Sequence, residues 1–405
     1  MKSIEENPDG ITQADIVIGI PSYNEASSIS YPTEQADKGL TKYYAGKSAI
    51  IINCDNKSPD DTQRVFMQTA TKTPKMYIST EEGVTGKGNN LRNLFAKAVE
   101  LSAKAVIVVD ADLKSITPLW IKNLGEPLFE QYEFVAPLYV RHKYDGPITN
   151  HLAYPLTRAL YGRRVRQPIG GDYGFSGGLA KTFMESDVWD GSISGYGIDI
   201  WMTTTSMRSR VAVVQSFMGR PKVHNTKDPF ESAEALFPDI ITTIFELMCR
   251  YESFWKEVKW SRPTAVFGFG VGDVEVPPAV NVDSMMLADR FYGGIKGLFD
   301  YYKTILTDQN MNKLQEVSEL VPDCFEFPTG LWAKILYDFA YAYKCGAVPG
   351  HELIAALKPL FYGKILSFVL ETQAMNTQQV EEFIEDQCLQ FEKAKPYLLE
   401  RWFSS

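Results

Sequence analysis

The chain has 405 residues, 45% hydrophobic and 22% charged, a globular balance that excludes a disordered chain. At about 150 residues per domain, that length suggests two to three structural units. Lys and Arg total 41 against 50 Asp and Glu, a net charge of −9, which argues against a nucleic-acid coat or a polybasic membrane anchor.

The first β-type run covers 15–20 and ends at Pro21. Others follow at 48–53, 75–79 and 105–109. Each is continuously apolar rather than alternating, as in strands buried on both faces. Helical patterns lie between them at 61–71, where Asp60 or Asp61 can cap the start, and at 88–103. This alternation predicts an α/β fold with a doubly wound, mostly parallel sheet. Such sheets bind ligands at the carboxyl ends of their strands. From about Ala233, helical patterns dominate: 233–259, 281–305, 309–319, 329–344, 350–371 and 376–402. Gly and Pro punctuate them at 267–278, 327–330 and 348–350. The expected division is 1–232 and 233–405. The helical part is expected as a separate domain or a cover on the sheet. Its apolar faces also suit an oligomer interface, a dimer.

Five cysteines (54, 249, 324, 345, 388) are scattered without a CxxC pair, which fits a reducing compartment. The N-terminus is polar and acidic, unlike a signal peptide. No uninterrupted apolar run approaches the roughly 18 residues that span a bilayer. The expectation is a cytoplasmic protein with no integral membrane segment and no nucleic-acid partner.

The sharpest local motif is Asp110-Ala-Asp112, two carboxylates delivered at the end of an apolar strand. Hard oxygen ligands suit Mg2+ or Mn2+ bridging a diphosphate. Read alone, the pair equally fits solvated turn carboxylates. It also approaches the nucleophile loop of haloacid-dehalogenase phosphatases, although it lies on the fourth strand run rather than the first. Asp55-Asn-Lys-Ser-Pro-Asp-Asp-Thr62 is polar and turn-forming, by itself a loop with a helix cap. Thr85-Gly-Lys-Gly-Asn-Asn90 joins flexible backbone to Lys87, but matches neither the P-loop nor the dinucleotide fingerprint. Arg166-Gln-Pro-Ile-Gly-Gly-Asp-Tyr-Gly174 is a glycine-rich loop with an embedded carboxylate. In Gly195-Tyr-Gly-Ile-Asp199 the bland role of Asp199 is a helix N-terminal charge. A lone His224 is ordinarily a hydrogen-bonded structural residue, unless Asp112 is near it.

In order, Pro21-Ser-Tyr-Asn-Glu25, Asp55 to Thr62, Gly86-Lys-Gly88, Asp110-Ala-Asp112, Gln167-Pro-Ile-Gly-Gly171, Gly195-Tyr-Gly-Ile-Asp199 and His224 form a specific set. Over residues 15–230 this set resembles the retaining GT-A glycosyltransferases that make glucosyl-3-phosphoglycerate, glucosylglycerate or mannosylglycerate. Phe325-Glu-Phe327 and Leu336-Tyr-Asp-Phe-Ala-Tyr341 are similar in character to the mannosylglycerate synthases. The resemblance implies a GT-A-type, Rossmann-like catalytic domain that binds a nucleoside-diphosphate sugar. Pro21, Tyr23, Glu25 and Asn56 would hold the nucleotide base, and Lys87 would reach the diphosphate. Asp110 would lie near the ribose or sugar, and Gly170 and Gly171 would line the sugar pocket. Asp112 and His224 would ligate Mg2+ or Mn2+. Thr149, Asp199 and Thr226 would face a small hydroxy-acid acceptor, with Asp199 and Asp110 at the reacting centre. One departure concerns the acceptor. A phosphate-gripping Gly-Arg-x-Thr loop is replaced by Gly146-Pro-Ile-Thr149, so Pro147 stands where the arginine would be. Arg163, Arg164 and Arg166 are the candidate substitutes.

Overall fold

The computed structural model describes residues 3–189, 191–224, 229–269, 274–346 and 348–403. It contains two compact units. One comprises Met1–Arg141, Val165–Asp228 and Pro263–Pro278; the other comprises His142–Arg164, Pro229–Arg262 and Ala279–Ser405. Two segments therefore lie across the single boundary expected at 232.

Among the described residues of the first unit, nine strands form one sheet. From edge to edge they are Glu5–Glu6, Lys75–Ser79, Ala49–Asp55, Ile16–Ser22, Ala105–Val108, Tyr173–Ser176, Phe134–Leu138, Val213–Phe217 and Ala265–Phe267. Glu5–Glu6 and Tyr173–Ser176 run antiparallel to their neighbours, and the other pairings are parallel. The doubly wound, mostly parallel sheet agrees with the strand–helix alternation.

All four expected strands are present. Ile16–Ser22 is buried along its whole length, flanked by Ala49–Asp55 and Ala105–Val108. Ile16, Ile18, Ile20, Ile51 and Ile107 pack with Trp120 and Ile121 in one core, each such side chain contributing roughly 1.5–3 kcal/mol. Helix Lys87–Glu100 lies close on this strand because position 19 is glycine. A Cβ there would sit 2.1 Å from Leu94 Cδ2. Asp61 holds the N-cap position of helix Thr62–Gln68 and pairs with Arg64, while Asp60 Oδ1 accepts from the Thr62 amide at 3.0 Å.

The strands beyond residue 130 carried no clear sequence signal. Phe134–Leu138 contains Pro137, and Tyr173–Ser176 has only four residues, one of them Gly174. Their pairing partners are distant in the chain, as in Phe134↔Val213.

The second unit is helical: Tyr154–Tyr161, Pro229–Arg250, Glu252–Trp255, Ser284–Ile305, Asp308–Ser318, Thr329–Cys345, Gly350–Thr372 and Thr377–Phe403. Gly350–Thr372 is apolar, and 78% of its most apolar window is buried, as in a core helix. Phe325 and Phe327 pack on Phe291, within the buried aromatic cluster of this unit. Helix Tyr154–Tyr161 is tied to Thr377–Phe403 by buried charge. Arg158, 1% exposed, bonds Glu392 at 2.6 Å and Glu385 at 2.5 Å. Lys395 donates to the carbonyls of Ala159 at 2.9 Å, Trp255 at 2.6 Å and Val258.

Removing one partner of such a pair strands the other in a dry site. Arg158→Ala is expected to destabilise the protein by about 3–5 kcal/mol, with Arg158→Met/Glu392→Leu recovering most of the loss. Urea unfolding followed by circular dichroism measures both.

Candidate active site

Strand Ala105–Val108 stops where its pairing with Gly19 and Tyr173 ends. Asp110 and Asp112 follow directly, at the carboxyl edge of the sheet. Beyond them the chain meets the segment around residue 223. Lys114 N donates to Val223 O at 2.9 Å, Val223 N donates to Ser115 Oγ at 2.9 Å, and Leu113 bridges His224 in antiparallel fashion. Lys222 Nζ lies 2.7 Å from Asp110 Oδ2, and His224 Nδ1 lies 2.8 Å from Asp112 Oδ1.

A second cation arrives from helix Lys87–Glu100. Lys87 Nζ bonds Asp110 Oδ1 at 2.9 Å and lies 3.3 Å from Asp199 Oδ1. The glycines beside it have a definite task. A Cβ on Gly86 would lie 2.2 Å from Ser194 O, and one on Gly88 would lie 1.9 Å from Ile193 O. Gly88 N donates to Gly195 O at 3.1 Å. The pair thus admits the backbone of 193–195, rather than a ligand, and draws the segment ending in Asp199 onto Lys87. Asp199 occupies the first turn of helix Ile198–Arg208.

The glycine-rich loop completes the site. Gln167 Oε1 accepts from Tyr139 N at 3.1 Å, and Tyr173 OH accepts from Gly170 N at 2.6 Å. Gly171 has φ +84° and passes so close that a Cβ would lie 2.4 Å from both Asp110 Oδ2 and Lys222 Nζ. Asp172, fully buried, accepts from the Asp110 amide at 2.9 Å and from the Tyr139 hydroxyl.

The carboxylates differ in environment. Burial alone would raise the Asp110 pKa, but Lys222 and then Lys87 hold it well below the usual range. Burial raises Asp199, and Lys87 only partly offsets it. Although Lys87 is within ionic reach, Asp199 Oδ1 has no hydrogen-bond donor of good geometry among the described residues. Asp110 is therefore a fixed anion, whereas Asp199 keeps one buried oxygen, Oδ1, without a hydrogen-bond donor among the described residues.

The structure brings together Lys87, Asp110, Asp112, Gly170, Gly171, Asp199 and His224. Pro21 is buried within its strand, and Tyr23 just beyond it is 50% exposed. Glu25 accepts from Ser28 through its side chain, and its amide donates to Thr62 Oγ1 at 2.9 Å. Asn56 turns inward: its amide donates to Asn90 at 2.7 Å, and its Oδ1 accepts from Gly86 N at 2.9 Å. It secures the turn that starts the Lys87 helix. Thr149 is buried in the second unit. Thr226 lies outside the described residues. Lys222, Tyr139 and Tyr173 were not anticipated, and Asp172 was legible only as a carboxylate embedded in a glycine-rich loop. The available signal was the spacing of Lys222 and His224, which equals that of Asp110 and Asp112.

The donor set of Asp112 and His224 fits a divalent cation. A hard carboxylate oxygen and an imidazole nitrogen meet at 2.8 Å on a partly exposed edge. Among the described residues no cluster of three or more Asp, Glu, His or Cys forms a complete cage. Two protein ligands suit a Mg2+ or Mn2+ ion whose remaining positions go to phosphate and water.

The two carboxylates should separate in a binding experiment. Asp112→Asn is expected to weaken Mn2+ binding in the presence of a nucleoside diphosphate by about tenfold or more, and Asp110→Asn by about threefold or less. Electron paramagnetic resonance of free Mn2+ measures both.

No family model matches the chain, and no curated protein matches it. Solved structures similar to it include glucosyl-3-phosphoglycerate synthase from Mycobacterium tuberculosis in complex with Mn2+, UDP and glucosyl-3-phosphoglycerate. The identity is 24%, covering 57% of this chain and 79% of that one, with a TM-score of 0.46. The same enzyme with Mg2+ and UDP gives 23% identity, the same coverage and a TM-score of 0.46. A mycobacterial protein gives 22% identity over 58% of this chain and 74% of that one, with a TM-score of 0.44. Similarity at this level assigns no function.

Proposed function

We propose that the protein is a metal-dependent retaining glycosyltransferase of the GT-A type. It moves a hexose, glucose or mannose, from a nucleoside-diphosphate sugar to a small hydroxy acid such as D-glycerate or 3-phosphoglycerate. The observation that carries this reading is the convergence on one sheet edge of Asp112 and His224, the Lys87–Asp110–Lys222 cluster, and Asp199. The ordered motif set between residues 15 and 230 supports it.

Cleaving the anomeric C–O bond leaves negative charge on the nucleoside diphosphate. A divalent cation held by Asp112 and His224 would stabilise that charge as a Lewis acid. Lys87, at the start of its helix, adds an ammonium group on the same edge. Asp110, held between two lysines, stays anionic and presents a fixed acceptor to ribose or sugar hydroxyls. Asp199 orients the acceptor hydroxyl through its carboxylate. That hydroxyl attacks the anomeric carbon from the face the diphosphate leaves, and its proton passes to the departing phosphate oxygen. Configuration is thereby retained.

A phosphatase or nucleotidyltransferase using the Asp110/Asp112 pair is less well supported, and for a mechanism with Asp110 as nucleophile one observation weighs against it. Both Asp110 oxygens already accept from ammonium groups, which lowers nucleophilicity. A non-catalytic nucleotide-sugar-binding protein would not require a buried carboxylate with one oxygen left without a hydrogen-bond donor. In the motif set, proline at position 147, where the resemblance implies a phosphate-gripping arginine, supports an unphosphorylated acceptor.

A panel of UDP- and GDP-hexoses with D-glycerate or 3-phosphoglycerate and Mg2+ or Mn2+, read by mass, tests this function. D-glycerate is expected to serve at least as well as 3-phosphoglycerate. Absence of transfer, with release of free phosphate or hexose alone, would refute it. Asp199→Asn is expected to keep the melting temperature and lower kcat by about 10²-fold or more. A purely helix-capping Asp199 would leave turnover near wild type.

A further inference from the structure

We propose that Lys222, anchored by Asp172, is a positioning residue that sets the orientation of the Asp110 carboxylate for reaction; this rests on the glycosyl-transfer reading. The ammonium group of Lys222 has three protons and three acceptors. It donates to Asp110 Oδ2 at 2.7 Å and Gly170 O at 2.7 Å, and lies 2.9 Å from Asp172 Oδ2. Its side chain is 4% exposed. Two hydrogen bonds and an ion pair to protein groups hold this buried ammonium in place.

Asp172 cannot touch a substrate either, since its side chain is fully buried. Its two oxygens divide the work. Oδ1 accepts from the Asp110 backbone amide at 2.9 Å, and Oδ2 receives Lys222 and the Tyr139 hydroxyl. Asp110 is thus gripped at two points, through its amide by Asp172 and through its carboxylate by Lys222. A grip is needed there because the strand ends at Val108, and no ladder hydrogen bond fixes the residue. Gly171 leaves room for the contact, since a Cβ would lie 2.4 Å from both Asp110 Oδ2 and Lys222 Nζ.

The site therefore gives these two residues different roles. His224 stands against Asp112, where a metal fits, and Lys222 stands against Asp110, where geometry must be held. Both pairs join the segment that follows Val108 to the segment around residue 223.

The test combines turnover, binding and structure in Lys222→Met, alone and with Asp110→Asn. Lys222→Met is expected to lower kcat by about 10²-fold, the scale of misplacing a reacting group. Calorimetric affinity for UDP or GDP with Mn2+ should stay within about threefold, and in the Asp110→Asn background Lys222→Met should add less than about threefold to the loss. Near-normal kcat, a parallel loss of nucleotide affinity, or a fully additive loss with Asp110→Asn would each overturn the proposal. If Lys222→Met does not fold, Lys222→Met/Asp172→Asn removes both buried charges and carries the same test. A crystal structure of the variant gives a readout without turnover. Asp110 should leave its place beside Gly171, and an unmoved carboxylate would overturn the proposal. Absence of turnover in the wild type would sink the transferase reading alone, because the crystallographic arm still decides the role of Lys222.

Discussion

Asp110 sits between two ammonium groups in a buried site, with Lys87 at 2.9 Å and Lys222 at 2.7 Å. A buried carboxylate without such partners would take up a proton or drive the site open. The same two lysines reach every other part of the centre. Lys87 brings in Asp199 and the segment before it, and Lys222 brings in Asp172, Gly170 and, two residues on, His224. Removing either lysine leaves an unpaired charge in a low-dielectric space.

Close backbone approach makes this possible. Gly86 and Gly88 admit the carbonyls of Ile193 and Ser194, and Gly171 admits Asp110 and Lys222. Gly19 lets the Lys87 helix settle onto the central strand. Each side chain in the site is therefore positioned by an element whose own placement is fixed by packing. The Tyr139 and Tyr173 hydroxyls complete the arrangement. Burial and neighbouring carboxylates raise their pKa values, so both stay protonated and keep donating. Such preorganisation suits charge stabilisation, because the dipoles need not move as charge develops.

Much of the fold was legible in the residues. The four central strands and nearly all of the long C-terminal helices follow from continuous β-branched runs and helical periodicity, which are local properties. Asp110, Asp112, Lys87, Asp199 and His224 stood out as members of one ordered motif set, although each taken alone allowed a structural reading. The strands Phe134–Leu138 and Tyr173–Ser176 were not legible. Each is short and interrupted by Pro137 or Gly174 and holds its conformation only through neighbours.

What the sequence determined by itself was the set of elements and the chemistry at their ends, because propensity, periodicity and turn residues act over a few positions. Tertiary structure decided which charges meet. Lys222 is 112 residues from Asp110 and Asp172 is 62 residues from it, and no local pattern reports those contacts. Only folding brings them within hydrogen-bond distance, where burial makes pairing obligatory. The inward turn of Asn56 and the grouping of His142–Arg164 with the helical unit have the same origin. They satisfy polar atoms and bury apolar faces against partners that lie far away along the chain.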